Sequence, residues 1–237
     1  MLPQHNNLVA AIRTFVNRGH HATLSIGFSS WRLFQSGTQP IEGAYTSETQ
    51  LQVDLCEALK NLSVKKLSVL FDGTIVAVAT LEQNIALSTL GRLRYAQHCL
   101  RPMIGANIDQ WHICLDDGNS NPAFCSAVRK LHFGAILSAC ADAKSQCVSA
   151  RPVLLSALST ISHTQNPTVY CVEGIQSYQA VFWDSGATPS FFAPISKSMT
   201  ADRKTAETDI RREALKVGIP PSTDLRWITV ESALATK

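Results

Sequence analysis

The sequence predicts an α/β protein in which one order of elements, strand–strand–strand–helix–strand, occurs twice. The stretch HATLSIGFSSWRLFQSG at residues 21–37 and the stretch PTVYCVEGIQSYQAVFWDSG at residues 167–186 share one pattern. In each, an apolar strand leads to a glycine followed closely by serine, and a second apolar strand ends in a Ser-Gly turn. We therefore expect two related units within one chain.

The first unit is predicted from strands near 22–28 and 30–36, with a weaker third strand in PIEGAY. A helix follows in SETQLQVDLCEALKNL, where Ser47 and Gln50 have capping-box spacing and leucines recur every three or four residues. KKLSVLF then predicts a buried strand. It ends at Asp72-Gly73, a dipeptide that is typical of a hairpin turn.

The second unit repeats this order. Its three strands are predicted in TVYCV, YQAVFW and SFFAPI, separated by the turn-rich segments EGIQS and DSGATP. The helix TADRKTAETDIRREALK carries a Glu207–Arg211 pair at i,i+4 and ends before Gly218. LRWITV predicts the last strand.

The segment between the two units contains further elements. The pattern predicts a helix at roughly 84–100 that Pro102 ends, and a hairpin from QWHICL to AFCSAV that turns on DDGNSN. A helix around 129–144 and a short helix in VLLSALSTI follow. No segment rich in Gly, Ser or Pro separates the halves, so we expect one bilobed unit.

These elements divide the chain into three expected parts. Residues 1–19 form an N-terminal helical extension, because residues 7–17 place Leu8, Ile12, Phe15 and Val16 on one side of a helix. Residues 20–150 form the first lobe, with the inserted helix and hairpin. Residues 151–237 form a second, shortened lobe.

Composition excludes several classes of function. With 45% hydrophobic and 16% charged residues, the 237-residue chain is ordinary for a folded soluble protein. A net charge of +3 without clustered Lys and Arg predicts no nucleic-acid partner. Seven cysteines without a C-x-x-C pair indicate a reducing compartment rather than a disulfide framework. Because we find no signal peptide and no apolar run of membrane-spanning length, we expect a cytoplasmic protein with no direct membrane span.

The order of elements and several short motifs resemble a known family. The motifs are LSIGFSSWRL, YAQHC followed by W-x-I-x-L, FCSAVRK, CVSARPVLLSAL and YCVEGIQSYQAVFWDSG. They are similar, in this order, to the actin-like cytoplasmic platform proteins of type IV pili and type II secretion systems, the PilM/GspL group. The resemblance covers roughly residues 20–230 and implies an actin-like fold, two RNase-H-like βββαβ lobes over a cleft. This chain departs from the family in that its second lobe is expected to be truncated, with the later elements either missing or outside this chain.

The loop after the first strand departs from the pattern of active actin-like ATPases. Active actin-like ATPases carry Asp-x-Gly there, followed by small hydroxyl residues. The glycine lets the backbone approach phosphate, the amides and hydroxyls bind its oxygens, and the aspartate holds Mg²⁺. Here Gly27, Ser29 and Ser30 remain, but Ser25 stands at the aspartate position.

The corresponding loop of the second lobe is also degenerate. Gly174 and Ser177 remain, Val172 takes the aspartate position, and strand alternation turns the neighbouring Glu173 to the other face. Without either carboxylate, a magnesium-bound triphosphate loses its main anchors. We therefore expect a pseudo-ATPase with no cofactor, no metal and no catalytic residue. Gly27, Ser29, Ser30, Gly174 and Ser177 are the remnants of its nucleotide loops.

Simpler explanations stay open for most of these residues. Gly27 and Gly174 could serve only as turn residues. Asp72-Gly73 and the Asp116-Asp117-Gly118 segment are expected to be hairpin turns, although a lone carboxylate in the cleft remains an alternative. His98 and His112 are expected in the core or half-buried, because no second ligand lies at metal-binding spacing.

Competing activities lack the residues they need. An ATP-binding phosphotransferase of the actin-like or sugar-kinase fold needs the two aspartates, but it remains the alternative hypothesis. An RNase-H-like nuclease needs carboxylates on the first and fourth strands, and Asp72 is the single candidate. A serine hydrolase needs a G-x-S-x-G elbow, which is absent.

The resemblance therefore implies a non-catalytic scaffold at the cytoplasmic face of a bacterial envelope machine. Its expected partners are an inner-membrane platform protein of the pilus or secretion system and the assembly ATPase, and a homodimer is left open. The protein would be peripheral to the inner membrane through these partners. Aromatic residues beside turns could form the binding surface, although core packing is their commoner fate: Trp31, Trp183, Phe191 and Phe192.

Overall fold

The computed structural model describes residues 20–81, 88–115, 123–159, 166–184, 189–197 and 202–229. The helix predicted at 7–17 and the turn predicted at Asp116-Asp117-Gly118 lie outside these residues. The described strands are β1 (His21–Ile26), β2 (Ser30–Gln35), β3 (Ile41–Ala44), β4 (Lys66–Phe71), β5 (Val76–Leu81), β6 (Trp111–Leu115), β7 (Ala123–Arg129), β8 (Gln146–Pro152), β9 (Thr168–Glu173), β10 (Ser177–Trp183), β11 (Ser190–Phe191), β12 (Ile195–Ser196) and β13 (Asp224–Thr229). The described α-helices are α1 (Glu48–Asn61), α2 (Thr89–Ile104), α3 (Lys130–Asp142), α4 (Val153–Leu158) and α5 (Arg203–Lys216).

The first sheet has the order β3-β2-β1-β4-β8. β1, β2 and β3 form an antiparallel meander, β4 runs parallel to β1, and β8 runs parallel to β4. Helices α1 and α3 cover one face, where leucines of α1 pack with Leu24 and Leu33 of the sheet. The predicted cap of α1 is present, since the Ser47 hydroxyl accepts a hydrogen bond from the Gln50 backbone N–H at 3.2 Å.

The second sheet repeats the first in shorter form, with the order β11-β10-β9-β13 and β12 also beside β10. β9 and β10 are antiparallel, and β13 runs parallel to β9, as β4 runs parallel to β1. Helix α4 packs on one face and α5 on the other. The predicted order of strands and their antiparallel meander are confirmed in both units. The lobe boundaries at 19/20 and 150/151 stay a prediction.

A third, smaller sheet of order β5-β7-β6 is inserted between β4 and α3, with α2 on one face. Strand β5 was missing from the sequence prediction, which expected only a helix and a hairpin here. β5 is antiparallel to β7, so VAVATL pairs with a strand more than forty residues later. This long-range pairing has no local turn signal, which explains the omission.

Four sequence predictions are wrong in detail. Pro102 lies inside α2 rather than ending it. The strand predicted in SFFAPI is split into two short pieces, β11 and β12. His98 and His112 are exposed instead of buried or half-buried. Trp31, proposed as a surface residue, is only 3% exposed and belongs to the core of the first lobe.

Candidate functional site

The loops after β1 and β9 have the same backbone closure. The Gly27 N–H donates to the Ser30 carbonyl at 2.9 Å, and the Gly174 N–H donates to the Ser177 carbonyl at 2.9 Å. Each hydrogen bond closes a tight loop between two antiparallel strands. We name residues 27–29 hairpin loop 1 and residues 174–176 hairpin loop 2. The repeat seen in the sequence is therefore a repeat of loop geometry.

The two hairpin loops contact each other directly through one side chain. The Gln176 amide nitrogen donates to the Ser29 hydroxyl at 2.7 Å, and the Gln176 amide oxygen accepts from the Ser29 backbone N–H at 3.0 Å. A Cβ atom at Gly27 would overlap the Gln176 side chain. The primary amide thus occupies the space against the backbone of hairpin loop 1.

A second bridge is formed by Asp72, directly after β4. Its Oδ2 accepts from the backbone N–H groups of Gln176 at 3.0 Å and Ser177 at 3.2 Å. Its Oδ1 accepts from the Ser177 hydroxyl at 2.7 Å and from the Thr74 backbone N–H at 2.9 Å. The residue is completely buried. Four donors occupy both carboxylate oxygens, so a metal ion could bind there only if several of these hydrogen bonds broke.

Asp72-Gly73 is therefore not the predicted hairpin turn. β4 and β5 lie in different sheets, and the Asp72 carboxylate instead holds hairpin loop 2, which is the alternative that the sequence left open. Two close contacts, at Gly174 and at Gly73, are possible only because glycine has no Cβ atom. A Cβ at Gly174 would overlap the Asp72 carboxylate, and one at Gly73 would lie 2.7 Å from the Gln179 amide carbon. Close approach, as well as turn formation, requires glycine at these positions.

The two positions that correspond to the aspartates of active actin-like ATPases are buried. Ser25 is 1% exposed, and its hydroxyl has no hydrogen-bond partner within the described part of the chain. Val172 is fully buried and packs in the apolar cluster around α4. Glu173 lies on the opposite face of β9 from Val172, as strand alternation predicts. It forms ion pairs with Lys197 at 2.9 Å and Arg203 at 3.7 Å.

The other two serines of the predicted nucleotide loops, Ser30 and Ser177, are engaged in contacts within the fold. Ser30 pairs with Ala44 in the meander, and Ser177 is fully buried against Asp72. Across the described ranges, no three His, Cys, Asp or Glu residues are grouped closely enough to hold a metal ion. Nucleotide contact through the remnant loop residues stays a prediction. These residues are Gly27, Ser29, Ser30, Gly174 and Ser177.

A partly exposed stack of aromatic and guanidinium groups includes Phe28 of hairpin loop 1 and the half-buried Trp111. The Arg129 guanidinium lies 5.8 Å from the Phe28 ring centroid and 5.4 Å from the Trp111 ring centroid. Phe28 is 54% exposed, and Leu131, two residues after Arg129 on the first turn of α3, is 67% exposed. We name Phe28, Trp111, Arg129 and Leu131 the stack surface. Cation–π contact holds Arg129 in place while its charge stays at the surface.

A buried histidine supports this surface from below. The His132 ring lies 6.1 Å from the Phe28 ring and 5.9 Å from the Tyr45 ring. Burial lowers the pKa of His132, while a hydrogen bond to the Phe28 backbone and the charge of Glu48 act against that shift. The Tyr45 hydroxyl donates to the Gly27 carbonyl, and burial raises the pKa of Tyr45. Hairpin loop 1 is therefore held from the side of α3 as well.

No feature of the sequence indicated Gln176 as a member of this site, and Asp72 was expected in the cleft only as the alternative to a hairpin turn. Asp-Gly after a strand resembles an ordinary turn, and glutamine in a loop carries no motif. The available signal was the pair of glycines at 27 and 174 following equivalent strands, which placed both loops at the same cleft. It could not identify the side chains that fill the space between them.

This chain matches known proteins at the level of structure. Protein-family models give no match, and curated protein sequences give none either. Solved structures do match. The cytoplasmic domain of EpsL, an inner membrane component of the type II secretion system of Vibrio cholerae, aligns at 12% identity over 90% of this chain and 92% of that chain, with a TM-score of 0.53.

Two further structures have the same fold. The PilM-PilN type IV pilus biogenesis complex aligns at 12% identity over 91% of this chain and 90% of that chain, with a TM-score of 0.58. A Bacteroides thetaiotaomicron protein with an actin-like ATPase fold and unknown function aligns at 9% identity over 90% of this chain and 83% of that chain, with a TM-score of 0.52. The fold is therefore actin-like, and the resemblance predicted from the sequence is confirmed at the level of fold.

Proposed function

We propose that this protein is a non-catalytic platform component that binds a cytoplasmic segment of an inner-membrane partner in a type IV pilus or type II secretion machine. One observation carries the proposal: Gln176 joins hairpin loop 1 to hairpin loop 2 directly, and the Asp72 carboxylate of the first lobe binds hairpin loop 2. The likeness in fold to the EpsL cytoplasmic domain and to the PilM-PilN complex supports the assignment to such a machine. None of the described helices is long and apolar enough to cross a bilayer.

We infer a non-catalytic role because nucleotide binding would require Asp72 and Gln176 to break hydrogen bonds that they already form. A magnesium-bound triphosphate needs a carboxylate free to hold the metal or its waters, and loop amides free to bind phosphate. Asp72 already accepts four hydrogen bonds, and two of its donors are backbone amides at the end of hairpin loop 2 and the start of β10. The Ser29 amide of hairpin loop 1 is occupied by Gln176. Nucleotide binding would have to break these contacts.

Titration of the 237-residue protein with Mg-ATP by calorimetry, together with a phosphate-release assay, tests this part of the proposal. We expect no binding at millimolar nucleotide and no release above a protein-free blank. The variant Gln176→Ala removes the amide that joins the loops, and we expect it to remain inactive because Asp72 is still fully occupied. Tight Mg-ATP binding with turnover would contradict the proposal and favour the phosphotransferase alternative.

The stack surface is the proposed docking site. Aromatic and arginine side chains dominate the binding energy of protein interfaces, and this surface combines both with the exposed Leu131. The charge of Arg129 is not paired with a carboxylate in the described part of the chain. A partner segment with an apolar side chain and a nearby carboxylate would therefore complement it.

Co-purification with envelope components of a type IV pilus or type II secretion machine, namely small inner-membrane proteins and an assembly ATPase, tests the docking proposal. We expect Arg129→Ala to reduce recovery of the partner at least tenfold, which corresponds to the loss of about 1.4 kcal/mol of binding free energy. Arg94→Ala, an exposed arginine on α2, is the matched control and should retain binding. Recovery of no envelope component by the unaltered protein would overturn this part of the proposal.

A further inference from the structure

Strand β13 has an open outer edge in the described part of the second sheet. The sheet order is β11-β10-β9-β13, so β9 covers one edge of β13 and no described strand covers the other. The equivalent strand of the first sheet is β4, which has β1 on one side and β8 on the other. Among the described residues, the backbone N–H and C=O groups on the outer edge of β13 have no strand partner, and such an edge favours the addition of another strand.

The side chains of β13 alternate between two environments. Leu225 and Trp227 are half-buried and pack on the apolar cluster beneath α5. Asp224 and Arg226 lie on the opposite face, where their side chains are 51% and 53% exposed and form an ion pair at 2.7 Å. An acid and a base thus flank one apolar residue, Leu225.

This spacing is complementary to itself. If a second β13 runs antiparallel and the two-fold axis passes at Leu225, Asp224 lies opposite Arg226 of the second copy, and Arg226 lies opposite its Asp224. Leu225 then faces its own counterpart and extends the apolar cluster beneath α5. Opposite charges across a strand pair stabilise it, while like charges destabilise it.

We propose that β13 is a homodimerisation edge, through which two copies of this chain join their second sheets into one continuous sheet. This surface is independent of the stack surface and goes beyond the proposed platform function. The charge pattern favours a second copy as the occupant, because both ion pairs form only when the same acid and base are present on each side. A single added strand pair buries little area, so the dimer is weak and depends on concentration.

Sedimentation velocity of the 237-residue protein from about 1 µM to about 500 µM measures the monomer–dimer equilibrium. We expect a dimer at the upper end of this range. Arg226→Asp places two carboxylates opposite each other twice, and Asp224→Arg does the same with two guanidinium groups. Each single variant should weaken dimerisation roughly tenfold or more, since two attractive pairs become repulsive.

Mixing the two single variants provides the decisive measurement. In a mixed pair, every acidic position faces a basic one, so an equimolar mixture of Arg226→Asp and Asp224→Arg proteins should form dimers when neither does so alone. The double variant Asp224→Arg with Arg226→Asp should also dimerise. Arg94→Asp, which changes the net charge by the same amount as Arg226→Asp but lies on α2, is the control and should behave like the unaltered protein.

The proposal is overturned by three outcomes. The unaltered protein could remain a monomer over the whole range, or it could dimerise with an affinity that neither charge reversal changes. The mixture of single variants could also fail to pair. Circular dichroism of each variant distinguishes loss of pairing from loss of folding, because an exposed edge substitution should leave the spectrum unchanged.

Discussion

Asp72 accepts hydrogen bonds from both the backbone N–H and the hydroxyl of Ser177, at 3.2 Å and 2.7 Å. The two residues are 105 positions apart: Asp72 directly follows β4 of the first sheet, Ser177 begins β10 of the second, and both are completely buried. A buried carboxylate is tolerated only when donors replace its hydration. The hydrogen bonds of Asp72 therefore both position hairpin loop 2 and stabilise the fold, since without them the buried carboxylate would have no donors.

The first prediction concerns this carboxylate. Asp72→Asn keeps the shape but places an amide N–H₂ against at least one backbone donor, which leaves buried donors unsatisfied. We expect the free energy of unfolding to fall by about 2–4 kcal/mol. Urea denaturation followed by circular dichroism measures it. Asp109→Asn, at an exposed aspartate, should change it by less than about 0.5 kcal/mol. An Asp72→Asn protein as stable as this control would show that the connection is dispensable.

The second prediction concerns the glycine that faces Asp72. Gly174→Ala places a Cβ into the carboxylate, so hairpin loop 2 must shift, and we expect destabilisation of about 1–3 kcal/mol. Gly134 is the matched control because it lies in α3 and a Cβ there meets no atom within 4 Å. Gly134→Ala should stabilise the protein by about 0.5–1 kcal/mol, since alanine favours the helix. Thermal melts should show a lower melting temperature for Gly174→Ala and a higher one for Gly134→Ala. Equal changes in the two variants would contradict the predicted overlap.

The third prediction concerns restoration of the missing aspartates. Val172 is fully buried in an apolar cluster, so Val172→Asp introduces a carboxylate without a donor. We expect it to cost about 3–5 kcal/mol of stability. The combination with Ser25→Asp should therefore be unstable and should not hydrolyse Mg-ATP. Val53→Asp, at a 58% exposed valine, should remain within about 0.5 kcal/mol of the unaltered protein. A stable, active double variant would refute this expectation.

The repeated units could be predicted from the sequence because their signals are local. Alternation in TVYCV and YQAVFW, the cap at Ser47 and the Glu207–Arg211 pair, found at 3.0 Å, each involve residues a few positions apart. Strand β5 could not be predicted in this way, since its partner β7 begins more than forty residues later.

The site itself was only half predictable. Equivalent positions placed Gly27 and Gly174 at one cleft, but the bond between Gln176 and Ser29 spans 147 residues. Long-range hydrogen bonds depend on how the lobes pack, and no spacing rule encodes that packing. Asp72 was considered as a lone carboxylate in the cleft, yet its Asp-Gly context favoured a turn.

The last prediction concerns pH and rests on His132. Burial lowers the pKa of this imidazole in the folded protein, whereas the unfolded chain titrates near its ordinary value of about 6.5. Below that pH the unfolded state binds the proton first, so protonation draws the equilibrium toward unfolding. The stabilisation associated with neutral His132 is complete above about pH 6.5 and is lost as the pH falls through the folded-state pKa, at up to about 1.4 kcal/mol per pH unit.

Urea midpoints from pH 8 to pH 5 should therefore decline less steeply for His132→Phe than for the unaltered protein. Phe133→Leu, a neighbour on α3 without a titratable group, separates packing from protonation and should keep the unaltered pH slope. Identical slopes for His132→Phe and the unaltered protein would show that this histidine does not contribute to the acid sensitivity of the fold.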